Sequence, residues 1–231
     1  MPHIISLRTF ARLSKLRAMH GQVKTGVFTL QESYSAGSPA LEFSAEPSRR
    51  TVLQDRFISL RPFQLQDIPL LFEAARESVH ELSAWMVWCH AAYSMEDSAA
   101  FISNTEAEWD RGQQYSFAII DREDGSFLGS VGINAVNHVH KFANLGYWVR
   151  TRRTRQGVGT SATILAARFG LEQLGLHRVE LVVPTGNQAS RRVAEKAGAT
   201  CEGVFRKRLV LRGRSVDAVI YSFISGELAL G

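Results

Sequence analysis

Of everything in this 231-residue sequence, the stretch from Asn144 to Leu174 leaves the least freedom. Asn144–Val149 reads as a strand that ends abruptly in Arg150-Thr151-Arg152-Arg153-Thr154-Arg155. The turn Gln156-Gly157-Val158-Gly159 follows, and from Thr160 an apolar helix runs to about Leu174, where Gly175 ends it. Glycines at such a turn let the backbone curl around an anion, and the helix then offers first-turn N–H groups with no carbonyl partner. Those amides and the helix dipole suit a pyrophosphate without any lysine. The dinucleotide fingerprint is excluded because the third glycine is missing and the strand comes late in the chain. A phosphate-binding P-loop is excluded because no Gly-Lys-Ser/Thr follows.

The remaining elements fall around this unit. Arg56–Arg61 alternates as a half-buried strand. Asp67 is placed to cap a helix beginning Ile68-Pro69, and Ser94 to cap a second over Met95–Arg111. Strands are predicted at Tyr115–Asp121 and Phe127–Ala135 around the turn Arg122-Glu123-Asp124-Gly125. Strand Arg178–Val183 precedes a helix over Asn187–Ala197 closed by Gly198, and strands Cys201–Leu211 and Ser215–Phe223 meet at Arg212-Gly213. The expected fold is α/β: a seven-stranded mixed sheet with helices on both faces.

Charge divides the chain. Residues 51–124 hold 5 basic and 13 acidic side chains, and residues 125–231 hold 15 and 6. Such polarisation predicts a negative surface for a cationic partner and a positive one for an anionic ligand. Residues 1–50 carry 7 basic and 3 acidic side chains and no sustained period, so they are expected to be a basic, poorly ordered arm ahead of a domain at 51–231. The arm is compatible with a targeting presequence, an RNA- or ribosome-touching segment, or an upstream stretch with the true start at Met19. Cys89 and Cys201 have no CxxC partner or histidine cluster, so neither a metal nor a disulfide framework is expected, and a cytoplasmic setting is. No apolar run approaches the length of a membrane span.

Together these motifs resemble the GNAT superfamily of acyl-CoA N-acyltransferases over about residues 54–225. The pyrophosphate motif of that family, Gln/Arg-x-x-Gly-x-Gly/Ala, is matched by Gln156-x-x-Gly159-x-Ser161, with serine in the last slot. Asn187-x-x-Ser190 and Glu195-Lys196-x-Gly198 are similar to the RimJ/RimL branch, which acetylates N-terminal α-amines of ribosomal and other proteins. So are Trp85-x-x-Trp88 before Ser94-x-Glu96-Asp97, Leu145-Gly146-Tyr147-Trp148, Glu202-Gly203 and Asp217. One departure is Ala199 after Gly198, where the branch usually has an aromatic residue.

The resemblance implies acetyl-CoA as co-substrate, no metal, and direct attack of an amine on the thioester without a covalent enzyme intermediate. It implies that Tyr147, Trp148, Val149, Gln156, Gly157, Val158, Gly159, Thr160, Ser161, Asn187 and Ser190 bind the cofactor. A main-chain N–H near Trp148 or Val149 would polarise the carbonyl in a gap between the strands Asn144–Val149 and Arg178–Val183. Arg152, Arg153 and Arg155 are candidates for the nucleotide phosphates. The tyrosine that protonates the leaving thiolate in many relatives is Ala194 here, so Ser190 takes that role by analogy with RimL. For the base, the position used by some relatives is Leu209, beside Arg208, which leaves Glu180, His138, His140, Glu202 and Asp217. Trp85 and Trp88 are candidates for a wall of the acceptor groove or for core aromatics. The expected acceptor is a protein N-terminus, with a small amine (an aminoglycoside or polyamine) or a non-catalytic acyl-CoA-binding role as alternatives, and the chain is expected to be a monomer or homodimer.

Overall fold

The computed structural model describes residues 47–227, so the arm up to residue 46, with Met19, lies outside the described residues. One sheet carries eight strands: β1 (Leu53–Gln54), β2 (Ile58–Pro62), β3 (Tyr115–Asp121), β4 (Phe127–Asn137), β5 (Phe142–Val149), β6 (Arg178–Pro184), β7 (Thr200–Leu211) and β8 (Arg214–Ile224). They lie in the order β1-β2-β3-β4-β5-β6-β8-β7. The strand beyond the expected seven is β1, two residues long, which pairs Leu53 with Leu60 and Gln54 with Ser59. So short a strand has no alternation to read in sequence.

Helices α1 (Ile68–Glu77), α2 (Val79–Leu82) and α3 (Met95–Asp110) precede β3; α4 (Val158–Arg168) and α5 (Gln188–Lys196) flank β6 in sequence. Ser94 caps α3 as expected, accepting the Asp97 N–H while Asp97 accepts the Ser94 N–H. Asp67 does not cap α1. Its carboxylate accepts from both guanidinium nitrogens of Arg61 at 2.7 Å and from the Gln64 amide, closing a 3-10 turn over Leu65–Asp67. Beyond Arg168 the helix after the glycine turn widens into a π-helical stretch, Phe169–Gln173, before Gly175 at φ 62°.

β3 is buried on both faces, because Tyr115, Phe117 and Ile119 meet one apolar cluster and Ala118 meets another. The first cluster centres on Phe169, whose ring lies 5.1 Å from Phe117 and 5.4 Å from Tyr115, and includes buried residues of α4 and α5. The second is built by α1, α3, Phe127 and Trp148. Full burial of each such ring contributes about 2 kcal/mol. The domain's contacts begin ahead of Thr51: the Trp109 indole donates to Pro47 O at 2.8 Å, and Arg49 pairs with Asp110 and Glu106.

Candidate active site

β5 and β6 are the parallel pair of the sheet, and they pair only over Phe142–Asn144 and Arg178–Glu180. β5 continues to Val149 bonded to β4, and β6 continues to Pro184 bonded to β8. A wedge therefore opens between them toward their carboxyl ends, the place where parallel sheets receive ligands. The Arg150 amide donates to Leu128 O at 2.8 Å across β4. By the alternation of an antiparallel ladder, the Trp148 amide also points to β4, and those of Tyr147 and Val149 face the wedge. Of the two amides expected to polarise a carbonyl, Val149's is thus the one aimed into the gap.

Alternation also sorts the side chains. Trp148 turns toward the α1–α3 face, 5.7 Å from Trp88 and 6.1 Å from Phe127, and Trp88 in turn lies 5.5 Å from Tyr93. Trp85 reaches the β6–α5 loop, where its ring would stand 3.5 Å from a Cβ on Gly186. Tyr147 turns the other way, between the first turns of α4 and α5. A Cβ on Gly159 would come 3.1 Å from its ring, and its hydroxyl donates to Ser190 Oγ at 3.3 Å. Burial pushes the Tyr147 phenol above its ordinary value, against the opposing Ser190 hydrogen bond, so it stays protonated at neutral pH. The Tyr147–Ser190 pair was not foreseen from sequence, although Tyr147 was named for cofactor binding. The period-two side-chain pattern along β5 is the signal that would have found it.

Both helices present their N-termini here. α4 starts at Gly157, in the left-handed region at φ 85°, and no side chain of the described residues caps it. The first intrahelical bond is Ser161 N–H to Gly157 O, which leaves the Val158, Gly159 and Thr160 amides unpaired within the helix. Gln156 spends its amide on Arg152 O and so rigidifies the loop. Asn187 caps α5, accepting the Ser190 N–H at 3.1 Å. Among the loop arginines, Arg153 is held by Asp121, Asp124 and Ser126 at 2.9 Å each, and Arg152 lies 3.5 Å from Glu73 and Glu77. Neither is free for a phosphate without giving up those partners.

The base candidates are scattered. His138 and His140 sit at the β4–β5 hairpin, and seven strand residues from Val149 amount to roughly 20 Å. Glu180 lies on the α1–α3 side, opposite Asn144 where the wedge begins, and accepts from Arg178 Nε at 2.7 Å. The other arm of Arg178 grips Glu202, which Ser222 also donates to, and these bonds hold the Glu202 carboxyl below its ordinary value. Asp217 accepts the Lys207 amide at 2.8 Å. None of the carboxylates is without a partner. Glu195, in the Glu-Lys-x-Gly motif, accepts from the buried Tyr221 hydroxyl at 2.8 Å and so ties α5 to β8.

Residues 58–200 match the family model described as "Acetyltransferase (GNAT) domain". The chain belongs to the GNAT acetyltransferase family. The structure is similar to one from Vibrio cholerae, provisionally assigned as a ribosomal-protein-serine acetyltransferase, with a TM-score of 0.68, 28% identity, and 77% of this chain and 99% of that one covered. It is also similar to Mycobacterium smegmatis RimJ solved with a CoA disulfide, with a TM-score of 0.67, 26% identity, and 77% and 88% covered. Bacillus subtilis YdaF, provisionally named a ribosomal N-acetyltransferase, is 33% identical over 104 residues, 45% of this chain and 57% of YdaF. This GNAT protein is therefore an acetyl-CoA-dependent N-acetyltransferase. The residues present fit that co-substrate: a wedge faced by the Val149 amide and a helix N-terminus with no side-chain cap among the described residues.

Proposed function

We propose that this enzyme acetylates the α-amine at a protein N-terminus. The observation that carries the reading is the wedge itself, which joins the two faces of the sheet at Val149. On the α4–α5 side lie the uncapped amides of Val158, Gly159 and Thr160, suited to a pyrophosphate. On the α1–α3 side lie Trp88, packed on Trp148, and Trp85, which reaches the β6–α5 loop, and these would wall the acceptor's approach. When bound, acetyl-CoA supplies an acetyl thioester activated for attack by an amine. The Val149 amide is positioned to donate to the carbonyl oxygen. Ser190, accepting from Tyr147, is placed to pass its proton to the departing sulfur while it takes one from the Tyr147 hydroxyl, which solvent reprotonates.

The acceptor follows from the base. Every candidate carboxylate is held by a guanidinium, a hydroxyl or an amide, so the amine must arrive already neutral in a usable fraction, about a tenth or more of the molecules. An α-amine has a pKa of about 7.7–8.0, against about 10.4 for lysine, and meets that condition near neutral pH. Glu180, in register with Asn144, stands five strand residues (roughly 16 Å) from Val149, so the proton released on attack passes to solvent and not directly to this carboxylate. The test is acceptor profiling with the full chain and acetyl-CoA. Peptides with free N-termini should be acetylated while N-terminally blocked, lysine-containing peptides are not. Transfer to polyamines or aminoglycosides but to no peptide would overturn the reading, and cofactor binding without any transfer would make the protein a sensor.

A further inference from the structure

The hairpin β7–β8 contains an irregularity at the edge of this same groove. Phe205 pairs with Ala218 and Leu209 with Val216, so Arg206, Lys207 and Arg208 stand opposite Asp217 alone. The three are extruded as a bulge in which Lys207 adopts φ 52°, held by the hydrogen bond its backbone N–H donates to the Asp217 carboxylate. Arg206 and Lys207 are exposed, and none of the three side chains has an ion-pair partner among the described residues. The bulge is fastened to the site. Asp217 O accepts the Thr185 amide at 3.1 Å, two residues before Asn187, and the hairpin tip reaches across the groove through Arg212, which donates to Ser83 O at 2.7 Å.

Resting on the reading of the protein as an N-terminal acetyltransferase, we infer that Arg206, Lys207 and Arg208 bind carboxylates of the acceptor, so that the preferred substrate is a chain end followed closely by acidic residues. On the same sheet face the half-buried Val182 lies between the segment of Ser83 and Trp85, which reaches Arg212 and Gly186, and the hairpin, with Ala218 buried beneath. Two strand spacings, about 10 Å, separate β6 from β7, and an extended chain covers that distance in roughly three residues. Asp or Glu at about positions three to five of the acceptor therefore meets the bulge while the amine lies at the wedge. Three uncompensated cations beside one another repel each other and gain from an anionic partner. Exposed pairs of this kind are individually weak, and two or three together lower KM about fivefold.

The experiment uses the full chain, acetyl-CoA, and heptapeptides identical in their first two residues with Asp-Glu, Ser-Gly or Lys-Lys in positions three and four. The acidic peptide should show a KM about fivefold lower than the neutral one at similar kcat, with the difference fading as salt is raised. Arg206→Glu with Arg208→Glu should reverse the order and leave acetyl-CoA binding by calorimetry unchanged; Lys207 is left in place because its backbone holds the bulge. Arg206→Gln with Arg208→Gln, which adds no charge, should level the three peptides. Equal KM values across the series in the unaltered protein would overturn the inference while leaving N-terminal acetylation standing. Failure to acetylate any peptide would instead defeat the functional reading, and anisotropy of labelled peptides would then decide the surface alone. A single-stranded oligoribonucleotide that binds more tightly than the acidic peptide, and loses binding in the Glu variant, would assign the bulge to RNA and overturn the inference.

Discussion

The two charged halves of the domain look like mirror images in composition and behave differently in the fold. Of the 13 acidic side chains in residues 51–124, all but Glu96 and Glu123 have a hydrogen-bond or ion-pair partner among the described residues. Several of those partners are arginines of the second half: Arg150 takes Glu73 and Glu77, and Arg153 takes Asp121 and Asp124. The basic excess of residues 125–231 is only partly consumed in return, and the bulge Arg206–Arg208 is left over. The negative surface expected for a cationic partner is thus partly spent on internal ion pairs, whereas Asp55, Glu81 and Asp97 bond to amides or hydroxyls and keep their charge. Acids of the first half act as scaffold, and the residues proposed to meet the cofactor lie in the second half.

That division can be broken by substitution. The largest effect is expected for Ser190→Ala, for which kcat should fall about 100-fold, equivalent to about 2.7 kcal/mol, with Tm and acetyl-CoA affinity nearly unchanged. A change of Tm without a change of kcat would move Ser190 into the scaffold. Next comes Arg150, whose side chain is 4% exposed and bonds Glu77 at 2.6 Å and Phe127 O at 3.2 Å. Arg150→Met removes the buried guanidinium that ties Glu77 to Phe127 O, leaves Glu73 and Glu77 to Arg152 alone, and should cost about 2 kcal/mol, seen as a Tm lower by roughly 6 °C. Gly157→Ala places a side chain at φ 85° and should cost about 1 kcal/mol, accompanied by weaker acetyl-CoA binding in calorimetry.

Acid titration separates the halves more gently. Burial pushes the Glu77 carboxyl up, but the Arg150 guanidinium and the Arg152 amide outweigh it and hold the group below the ordinary 4.5; Arg178 and Ser222 do the same for Glu202. Groups with depressed folded values contribute stability that is complete above the unfolded value and is lost as pH falls through the folded one. Denaturant midpoints should therefore hold steady down to about pH 5 and drop below it, and less steeply in Arg150→Met. The smallest effect is expected at the two unpartnered acids. Glu96→Gln and Glu123→Gln should each shift stability by less than about 0.5 kcal/mol.

What sequence could reveal follows the same line between local and tertiary causes. α3 was legible because Ser94 and Asp97 form a local capping box, and β3 because its run is apolar and bounded by turn residues. The glycine turn and the helix after it were legible for the same reason. Asp67 misled because a short acid before Ile68-Pro69 looks like a cap, and only the fold brings Arg61 beside it. The strand Cys201–Leu211 concealed its bulge, since the residue with positive φ is Lys207 and no glycine marks it. The pairing of Glu77 with Arg150 spans 73 positions and leaves no periodic trace. The side of the sheet that Tyr147 faces is legible in the alternation of β5, whereas its meeting with Ser190 depends on where α5 packs.

The wedge is tested most directly by amide hydrogen exchange at Tyr147, Trp148 and Val149, with and without acetyl-CoA. Trp148, bonded to β4, should be protected in both states; Tyr147 and Val149 should exchange fast in the free protein and slow when acetyl-CoA is added. Equal protection of all three amides in the free protein would mean that β5 and β6 are paired to their ends, and that no gap exists to receive the thioester.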